Sequence, residues 1–174
     1  MNTSSQATLT NLALAQKAKA YFELLKFRLA SLVAFSGIFG YSLASSQLDW
    51  AKLLLFTIAA IAITGAANTI NQIFEVDLDR LMLRTQQRPL PSGRLTIREA
   101  IVFAVVLTLV AVTLFVLYFN TRAMLLALLS LVLYGFVYTP LKKRGPIAVF
   151  VGAFPGAFPP MIGWVAATNQ FGLE

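Results

Sequence analysis

The chain has 174 residues, of which 58% are hydrophobic and only 12% are charged, and its mean hydropathy is +0.75. Because soluble domains carry about twice that share of charge, this composition indicates an integral membrane protein. The sequence contains neither cysteine nor histidine. This excludes disulfides and thiolate metal sites, and it removes the commonest general base and haem ligand from the residues available for chemistry.

The first 28 residues are predicted to form a polar N-terminus and an amphipathic helix, ahead of a transmembrane domain over residues 29–174. Residues 1–11 are rich in Ser, Thr, Asn and Gln and are expected to fray. They lack the basic start, apolar core and cleavage site of a signal peptide. Residues 12–28, LALAQKAKAYFELLKFR, fit a helix that lies at the membrane surface or leads into the first span.

Five apolar segments follow, and each has about the 20 residues that a helix needs to cross a bilayer. Since a membrane-spanning chain must satisfy its backbone internally, these segments predict an all-α, polytopic transmembrane helix bundle. Three prolines, Pro155, Pro159 and Pro160, predict a break or kink in the fifth segment. The predicted spans cover residues 29–46, 53–74, 100–119, 123–139 and 147–167.

The basic residues are distributed unevenly between the two sides of the predicted bundle. Twelve of the fourteen fall in the N-terminal segment, the 75–99 loop and the 140–146 loop, and the other side has only Lys52 and Arg122. The positive-inside rule therefore predicts that the N-terminus and the 75–99 loop are cytoplasmic. Topology also accounts for the net charge of +7, so no nucleic-acid partner is expected.

The stretch that follows the second span contains acids whose placement topology does not explain. Residues 71–94 read NQIFEVDLDRLMLRTQQRPLPSGR. Asn71, Glu75 and Asp79 recur every four residues and share one face of a helix, whereas Asp77 points away. One amide and two carboxylates are hard oxygen ligands of the kind that Mg²⁺ combines with water and phosphate oxygens. The pattern predicts a magnesium site built from these three residues.

Basic residues next to these acids favour a polyphosphate ligand. Arginine binds phosphate through two parallel hydrogen bonds, which makes Arg80, Arg84 and Arg88 candidates, and Pro89 predicts that the helix ends by this point. Tyr138 and Lys142, at the end of the fourth span, are weaker candidates. Together these residues predict a lipid diphosphate whose head group lies at the cytoplasmic surface and whose tail lies between helices.

A structural reading of the same residues is also open. Acids and arginines four residues apart on a helix form surface ion pairs that contribute less than about 1 kcal/mol each. The aromatic belt and the positive-inside rule account adequately for Tyr138 and Lys142. Asn68 and Asn71, however, lie within the last turns of an apolar span, where polar groups are expensive and usually functional. Their position favours a binding site.

Residues 71–94 resemble the first acidic motif of the UbiA superfamily of intramembrane prenyltransferases. The matching elements are the Asn at 71, the acids four and eight residues later, the Arg-Thr pair at 84–85 and the Arg-Pro-Leu-Pro-Ser-Gly turn at 88–93. The wider superfamily often has Asp directly after the Asn and again at the fourth position. Gln72 and Glu75 stand there in this sequence and resemble the haem O synthase branch.

Three further stretches resemble the same branch, so that the resemblance extends over residues 21–168. One departure is Phe27, which stands where the branch commonly has Pro. The stretches are YFELLKFRLASLVAFSGIFGYSLA at 21–44, VYTPLKKRGP at 137–146 and GAFPGAFPPMIGWVAAT at 152–168.

The resemblance implies a nine-helix fold, of which about five helices are present, and a second acidic motif that lies beyond this portion. It implies transfer of a farnesyl group from farnesyl diphosphate to a vinyl group of haem B, giving haem O on the route to haem A. This portion alone would lack half of the cavity and be inactive. The implied catalytic and Mg²⁺-binding residues are Asn71, Glu75 and Asp79, and the implied diphosphate-binding residues are Arg84, Arg88, Lys142 and Tyr138.

Two other functions remain as alternatives. A different UbiA-type enzyme, such as a 4-hydroxybenzoate polyprenyltransferase, shares the Arg-Thr and Pro-Leu-Pro-Ser-Gly elements, although residues 152–168 and the pair Gln72 and Glu75 argue against it. A non-catalytic membrane subunit would use the acid–arginine cluster as a gate or a salt bridge. Magnesium-dependent binding of farnesyl diphosphate distinguishes an enzyme from such a subunit.

Overall fold

The computed structural model describes residues 3–142, 145 and 147–171, with side chains from residue 14 onward. Within these residues the regular secondary structure is entirely helical. One stretch of the fifth helix, Leu133–Tyr138, is π-helical. The six helices are α1 (Thr3–Leu25), α2 (Phe27–Ala44), α3 (Trp50–Leu81), α4 (Ile97–Tyr118), α5 (Thr121–Leu141) and α6 (Ile147–Thr168).

Helices α2 to α6 are each long and apolar enough to cross a membrane. This confirms both the all-α fold and the five spans predicted from hydropathy. The expectation that residues 1–11 fray is wrong from Thr3 onward, because α1 is continuous from Thr3 to Leu25. Its alanine, leucine and glutamine residues are good helix formers, which outweighs the polar character of the segment.

Helix α3 is the longest element and occupies the centre of the bundle. In its most apolar stretch 61% of the residues are buried, against 22% to 28% in the other four spans. Its 32 residues extend about 48 Å at the rise of an α-helix, which exceeds the bilayer core of about 30 Å. The final turns, with Glu75 and Asp79, therefore project beyond the hydrocarbon region, and the loop begins only at Met82.

The three prolines of the fifth span do not interrupt it. Helix α6 runs without a break from Ile147 to Thr168, so of the predicted break or kink the break is wrong, and the kink stays a prediction. A proline removes one backbone hydrogen bond, but a neighbouring helix that packs closely can hold the geometry. Gly40 of α2 allows this approach, since a Cβ atom there would lie 2.0 Å from the carbonyl oxygen of Pro160.

The chain turns sharply between α1 and α2 at Lys26, whose φ of 50° lies in the left-handed region. A helix end leaves carbonyl groups without partners, and two side chains of α3 satisfy them. Asn68 Nδ2 donates to the Leu25 carbonyl at 3.1 Å, and Gln72 Nε2 donates to the Leu24 carbonyl at 2.9 Å. The amide side chains within the apolar helix therefore position the α1–α2 turn.

Loss of the Gln72 side-chain amide is expected to destabilise this turn. In Gln72→Leu the Leu24 carbonyl loses its donor, which we expect to lower the free energy of unfolding by about 1 kcal/mol. Thermal unfolding in detergent measures the change. Gln87→Leu is the matched control, because the Gln87 side chain is exposed. Equal unfolding midpoints for the two variants would contradict the structural role of Gln72.

Candidate functional site

The three residues predicted to bind a metal lie on one face of the last turns of α3. Asn71 and Asp79 are each only 2% exposed, and the side chain of Glu75 is largely buried. Asp77 points away, with 88% of its side chain exposed. This confirms that the spacing of four residues places the amide and the two carboxylates on the same inward face.

Asp79 is held by the segment that follows α3, residues 82–96, which we call the arginine loop. Nη1 of Arg88 donates to both carboxylate oxygens of Asp79, at 2.9 and 2.7 Å. The hydroxyl of Thr85 donates to the Asp79 carbonyl at 3.0 Å. Pro89 and Leu90 are buried beneath the bundle end, so the loop folds back and brings Arg88 to Asp79.

Glu75 and Asn71 contact the end of α5. Lys142 forms an ion pair with Glu75, and its ammonium lies 5.8 Å from the centroid of the Tyr138 ring. Asn71 Nδ2 donates to Thr139 Oγ1 at 3.1 Å. The π-helical turn directly precedes Thr139, and such turns change the direction of side chains near functional sites. Sequence reasoning missed Thr139, because its signal is a tertiary contact.

Lys26 completes the arrangement from the opposite side. Its Nζ lies 3.5 Å from Asn71 Oδ1. Burial lowers the pKa of Lys26, and the positive charge of Arg88 lowers it further, whereas Glu75 and Asp79 act in the opposite direction. We call the assembled residues the ion cluster; they are Lys26, Asn71, Glu75, Asp79, Arg88 and Lys142.

The charge of the ion cluster suits an anionic ligand. Three cations face two carboxylates, and both carboxylates already form ion pairs with cations. A divalent cation bound to the carboxylates would release Arg88 and Lys142 for an anion. Arg84 is the exception among the predicted residues, since its side chain is exposed and makes no hydrogen bond or ion pair with Asn71, Glu75 or Asp79 in the described structure.

Helix α1 covers the arginine loop through ion pairs. Arg94 donates to both carboxylate oxygens of Glu23, at 3.1 and 2.6 Å, and also to the Gln87 carbonyl at 2.6 Å. The guanidinium lowers the pKa of Glu23. Lys17 lies 2.6 Å from Glu99 at the start of α4. These contacts fix α1 over the loop, and the α1–α2 turn then places Lys26 in the ion cluster.

An apolar cavity of about 570 Å³ lies next to the ion cluster, which itself does not line it. Its upper end contains Asn68, which is less than one turn from Asn71, and Tyr138, whose ring contacts Lys142. Its far end contains Phe56 and Phe115. Charged groups adjacent to an apolar cavity fit a ligand with an anionic head and a hydrocarbon tail.

The donor set of the ion cluster fits Mg²⁺. Among the described residues, no three acidic, histidine or cysteine side chains are grouped so that they could hold a metal ion. The available ligands are one amide oxygen and two carboxylates, from Asn71, Glu75 and Asp79. Magnesium binds few protein oxygens and keeps water and phosphate oxygens as its other ligands.

Comparison with known proteins identifies the family. The profile of the UbiA prenyltransferase family matches residues 33–174. The chain belongs to this family. This family match agrees with the resemblance of residues 71–94 to the first acidic motif. The five apolar helices make the chain an integral membrane protein.

Curated relatives share one name. A protoheme IX farnesyltransferase of Cytophaga hutchinsonii is 51% identical over 162 residues, which is 92% of this chain and 57% of that protein. The enzyme of the same name from Flavobacterium psychrophilum is 46% identical, over 87% of this chain and 51% of that protein. The mitochondrial protoheme IX farnesyltransferase of Arabidopsis thaliana is 41% identical, over 88% of this chain and 36% of that protein. The chain thus spans about half the length of the bacterial relatives.

Solved structures share the fold. One, concerned with the biosynthesis of digeranylgeranylglyceryl phosphate synthase in membranes, matches with a TM-score of 0.77 and 29% identity, over 87% of this chain and 54% of that chain. A UbiA homologue from Archaeoglobus fulgidus, bound to GPP and Mg²⁺, matches with a TM-score of 0.71 and 20% identity. The match covers 89% of this chain and 55% of that chain. The helices of this chain therefore follow the arrangement of the UbiA fold.

Proposed function

We propose that this chain forms the diphosphate-binding part of a protoheme IX farnesyltransferase, or haem O synthase. The enzyme transfers the farnesyl group of farnesyl diphosphate to a vinyl group of haem B on the route to haem O and haem A. The observation that carries the proposal is the ion cluster next to an apolar cavity lined by Asn68 and Tyr138. Relatives of that name, at 41% to 51% identity, support the choice of acceptor.

The ion cluster would bind the diphosphate together with magnesium. Asn71, Glu75 and Asp79 would hold Mg²⁺, which neutralises charge on the diphosphate when bound. Arg88 and Lys142, released from the carboxylates, would then bind phosphate oxygens, and guanidinium groups are well shaped for this. Arg84, at the surface of the arginine loop, would approach the outer phosphate.

The cavity would hold the farnesyl chain during bond breaking. The bond between C1 of the farnesyl chain and the bridging oxygen of the diphosphate breaks, and its electron pair leaves with the diphosphate. Arg88 and Lys142 stabilise the charge that develops there. The electrons of the haem vinyl group form the new bond to C1, which leaves a cation on the vinyl carbon next to the porphyrin ring. Water adds to this carbon and loses a proton to the released diphosphate, which gives the hydroxyl group of the product. Tyr138 at the mouth and the apolar walls below it exclude water from the allylic cation until that bond forms.

We also propose the orientation of the chain in the bilayer. Most basic residues lie at the end of the bundle that carries the ion cluster, and the positive-inside rule assigns that end to the cytoplasm. The diphosphate group of farnesyl diphosphate would then enter from the cytoplasm, while the farnesyl chain enters the bilayer-embedded domain proposed for residues 29–174.

Haem O formation tests the proposal. The product of the natural gene, in membranes supplied with haem B, farnesyl diphosphate and Mg²⁺, is expected to yield haem O by mass spectrometry. EDTA is expected to abolish the product, and excess Mg²⁺ to restore it. Replacing haem B with 4-hydroxybenzoate tests the other UbiA-type function, and prenylation of that acceptor alone would overturn the assignment. A protein without enzymatic function would show no Mg²⁺-dependent binding of farnesyl diphosphate.

A further inference from the structure

The hydroxyl group of Thr139 makes two hydrogen bonds where the end of α5 meets α3. It donates its single proton to the Tyr134 carbonyl at 2.8 Å. Its oxygen accepts a hydrogen bond from Nδ2 of Asn71 at 3.1 Å. Thr139 is 0% exposed and Asn71 only 2% exposed, so both bonds are shielded from bulk water. The hydroxyl is a buried link between the backbone of α5 and the side-chain amide of Asn71.

The π-helical turn of α5 determines where the hydroxyl proton points. In such a turn a backbone N–H donates to the carbonyl five residues earlier, and the N–H of Thr139 donates to the Tyr134 carbonyl in this way. The hydroxyl of Thr139 donates to the same carbonyl oxygen. A carbonyl oxygen has two lone pairs and can accept both bonds. The proton is thus held on the α5 backbone, and only the hydroxyl oxygen is left to bond to α3.

This arrangement determines which way round the Asn71 amide lies. An amide side chain carries an acceptor, Oδ1, and a donor, Nδ2, and a half-turn of the group exchanges them. Because the hydroxyl of Thr139 can only accept from α3, Nδ2 must lie on that side. Oδ1 then lies toward the ammonium group of Lys26, at 3.5 Å, and an ammonium group can only donate. Both neighbours select the same orientation.

In this orientation the amide presents its oxygen to the ion cluster. Lys26, toward which Oδ1 lies, belongs to that cluster. A carbonyl oxygen is a suitable ligand for Mg²⁺, whereas the NH₂ group offers only donors and cannot bind a cation. A half-turn of the Asn71 amide would therefore remove one of the three ligands available to the metal. Partners of this kind, which bond to a ligand and not to the metal, orient the ligands in many metal sites.

We propose that Thr139 is a positioning residue for the metal site, because its hydroxyl holds the Asn71 amide with Oδ1 toward Mg²⁺. The inference rests on the proposed function, since it assumes that Asn71 is a ligand of Mg²⁺ when farnesyl diphosphate binds. Thr139 acts through Asn71 and needs no contact of its own with the metal or the substrate.

Removal of the hydroxyl is expected to weaken the binding of Mg²⁺. The readout is the Mg²⁺ concentration that gives half-maximal binding of farnesyl diphosphate to the natural gene product and its variants. In Thr139→Val this concentration is expected to rise about 10- to 100-fold, the usual cost of losing a partner that orients a metal ligand. Thr139→Ser keeps the hydroxyl and is expected to need the same Mg²⁺ concentration as the natural protein. Thr139→Ala also lacks the hydroxyl and replaces Thr139→Val if that variant does not fold.

Thr69→Val is the matched control. Thr69 is also 0% exposed and lies two residues before Asn71 on α3, but its hydroxyl donates to the Gly65 carbonyl of its own helix. Its loss is expected to leave the Mg²⁺ requirement unchanged. An equal rise in Thr69→Val and Thr139→Val would show that any buried hydroxyl near the site has this effect, and would overturn the assignment of Thr139.

A double variant tests whether Thr139 acts through the amide of Asn71. In Asn71→Asp a carboxylate replaces the amide, and its two oxygens are equivalent, so that no hydroxyl is needed to decide which atom faces the ion. Thr139→Val is therefore expected to raise the Mg²⁺ requirement much less in Asn71→Asp than in the natural protein. A rise of the same size on both backgrounds would mean that Thr139 supports the fold independently of the amide, which contradicts the proposal.

The Mg²⁺ titration also separates this inference from the proposed function. An unchanged Mg²⁺ requirement in Thr139→Val, with Mg²⁺-dependent binding of farnesyl diphosphate retained, would overturn the role of Thr139 and leave the proposed function intact. Absence of Mg²⁺-dependent binding from the natural protein would instead overturn the proposed function.

Discussion

Asp79→Ala is expected to abolish farnesyl transfer while the protein still inserts into the membrane. Asp79 is buried, and its carboxylate is one of the two proposed to bind Mg²⁺ at the ion cluster. Its loss would remove that proposed ligand, and it removes the ion-pair partner of Arg88. Loss of a single electrostatic contact to a transition state costs about 100- to 1,000-fold, and we expect at least that reduction in kcat/KM.

A second variant separates chemistry from folding. Removal of one member of a buried ion pair destabilises a protein by about 3–5 kcal/mol, so Asp79→Ala could lose activity by unfolding. Asp79→Asn keeps the volume and an oxygen that Arg88 can reach, but it lacks the charge that binds Mg²⁺. We expect Asp79→Asn to elute as a monodisperse species from a size-exclusion column and yet to bind farnesyl diphosphate without dependence on Mg²⁺.

The matched control is Asp77→Asn, two residues away on the same helix with its side chain 88% exposed. It is expected to retain the kcat/KM of the natural protein. Activity of Asp79→Asn equal to that of Asp77→Asn would contradict the metal site and favour the reading of Asp79 as a structural partner of Arg88.

Gly163→Ala is expected to separate α2 from α6. A Cβ atom on Gly163 would lie 2.0 Å from the carbonyl oxygen of Gly37 and 2.6 Å from the backbone nitrogen of Tyr41. Both atoms belong to the α2 backbone, so no side chain can move aside and the helices must shift apart. Overpacking of this kind destabilises by about 1–3 kcal/mol, and we expect a lower midpoint of thermal unfolding in detergent.

The same substitution on the same helix provides the control. A Cβ atom on Gly156 meets nothing within 4 Å. Since alanine is favoured over glycine within a helix by about 1 kcal/mol, Gly156→Ala is expected to leave the midpoint unchanged or raise it. Equal destabilisation by the two variants would show that glycine is required for some property of α6 itself and not for its contact with α2.

The positions and faces of the helices could be predicted because they depend on local spacing. A run of apolar residues of membrane-spanning length must satisfy its own backbone, and a period of four residues places Asn71, Glu75 and Asp79 on one side of a helix. The exposure of Asp77 follows from the same geometry. None of these conclusions requires knowledge of which helices are neighbours.

The sequence could not show why particular amide side chains lie in an apolar helix. Asn68 and Gln72 lie in an apolar helix, and the expense of burying an amide indicates that each has a task. Only the structure shows that the task is to satisfy the carbonyls at the end of α1. Within the described residues every buried side-chain nitrogen and oxygen has a partner, so burial alone did not distinguish structural from ligand-binding amides.

By itself, the sequence determined the membrane class, the number of spans, the acidic face of α3 and the basic end of the bundle, since each follows from composition or helical period. Which cations meet that face depends on how the helices and the loop pack. Lys26 and Lys142 reach it from elements distant in the chain, Arg88 reaches it through a folded loop, and Arg84 does not. The physical reason is that a side chain's electrostatic partners are set by helix packing and loop direction, which helical periodicity does not encode.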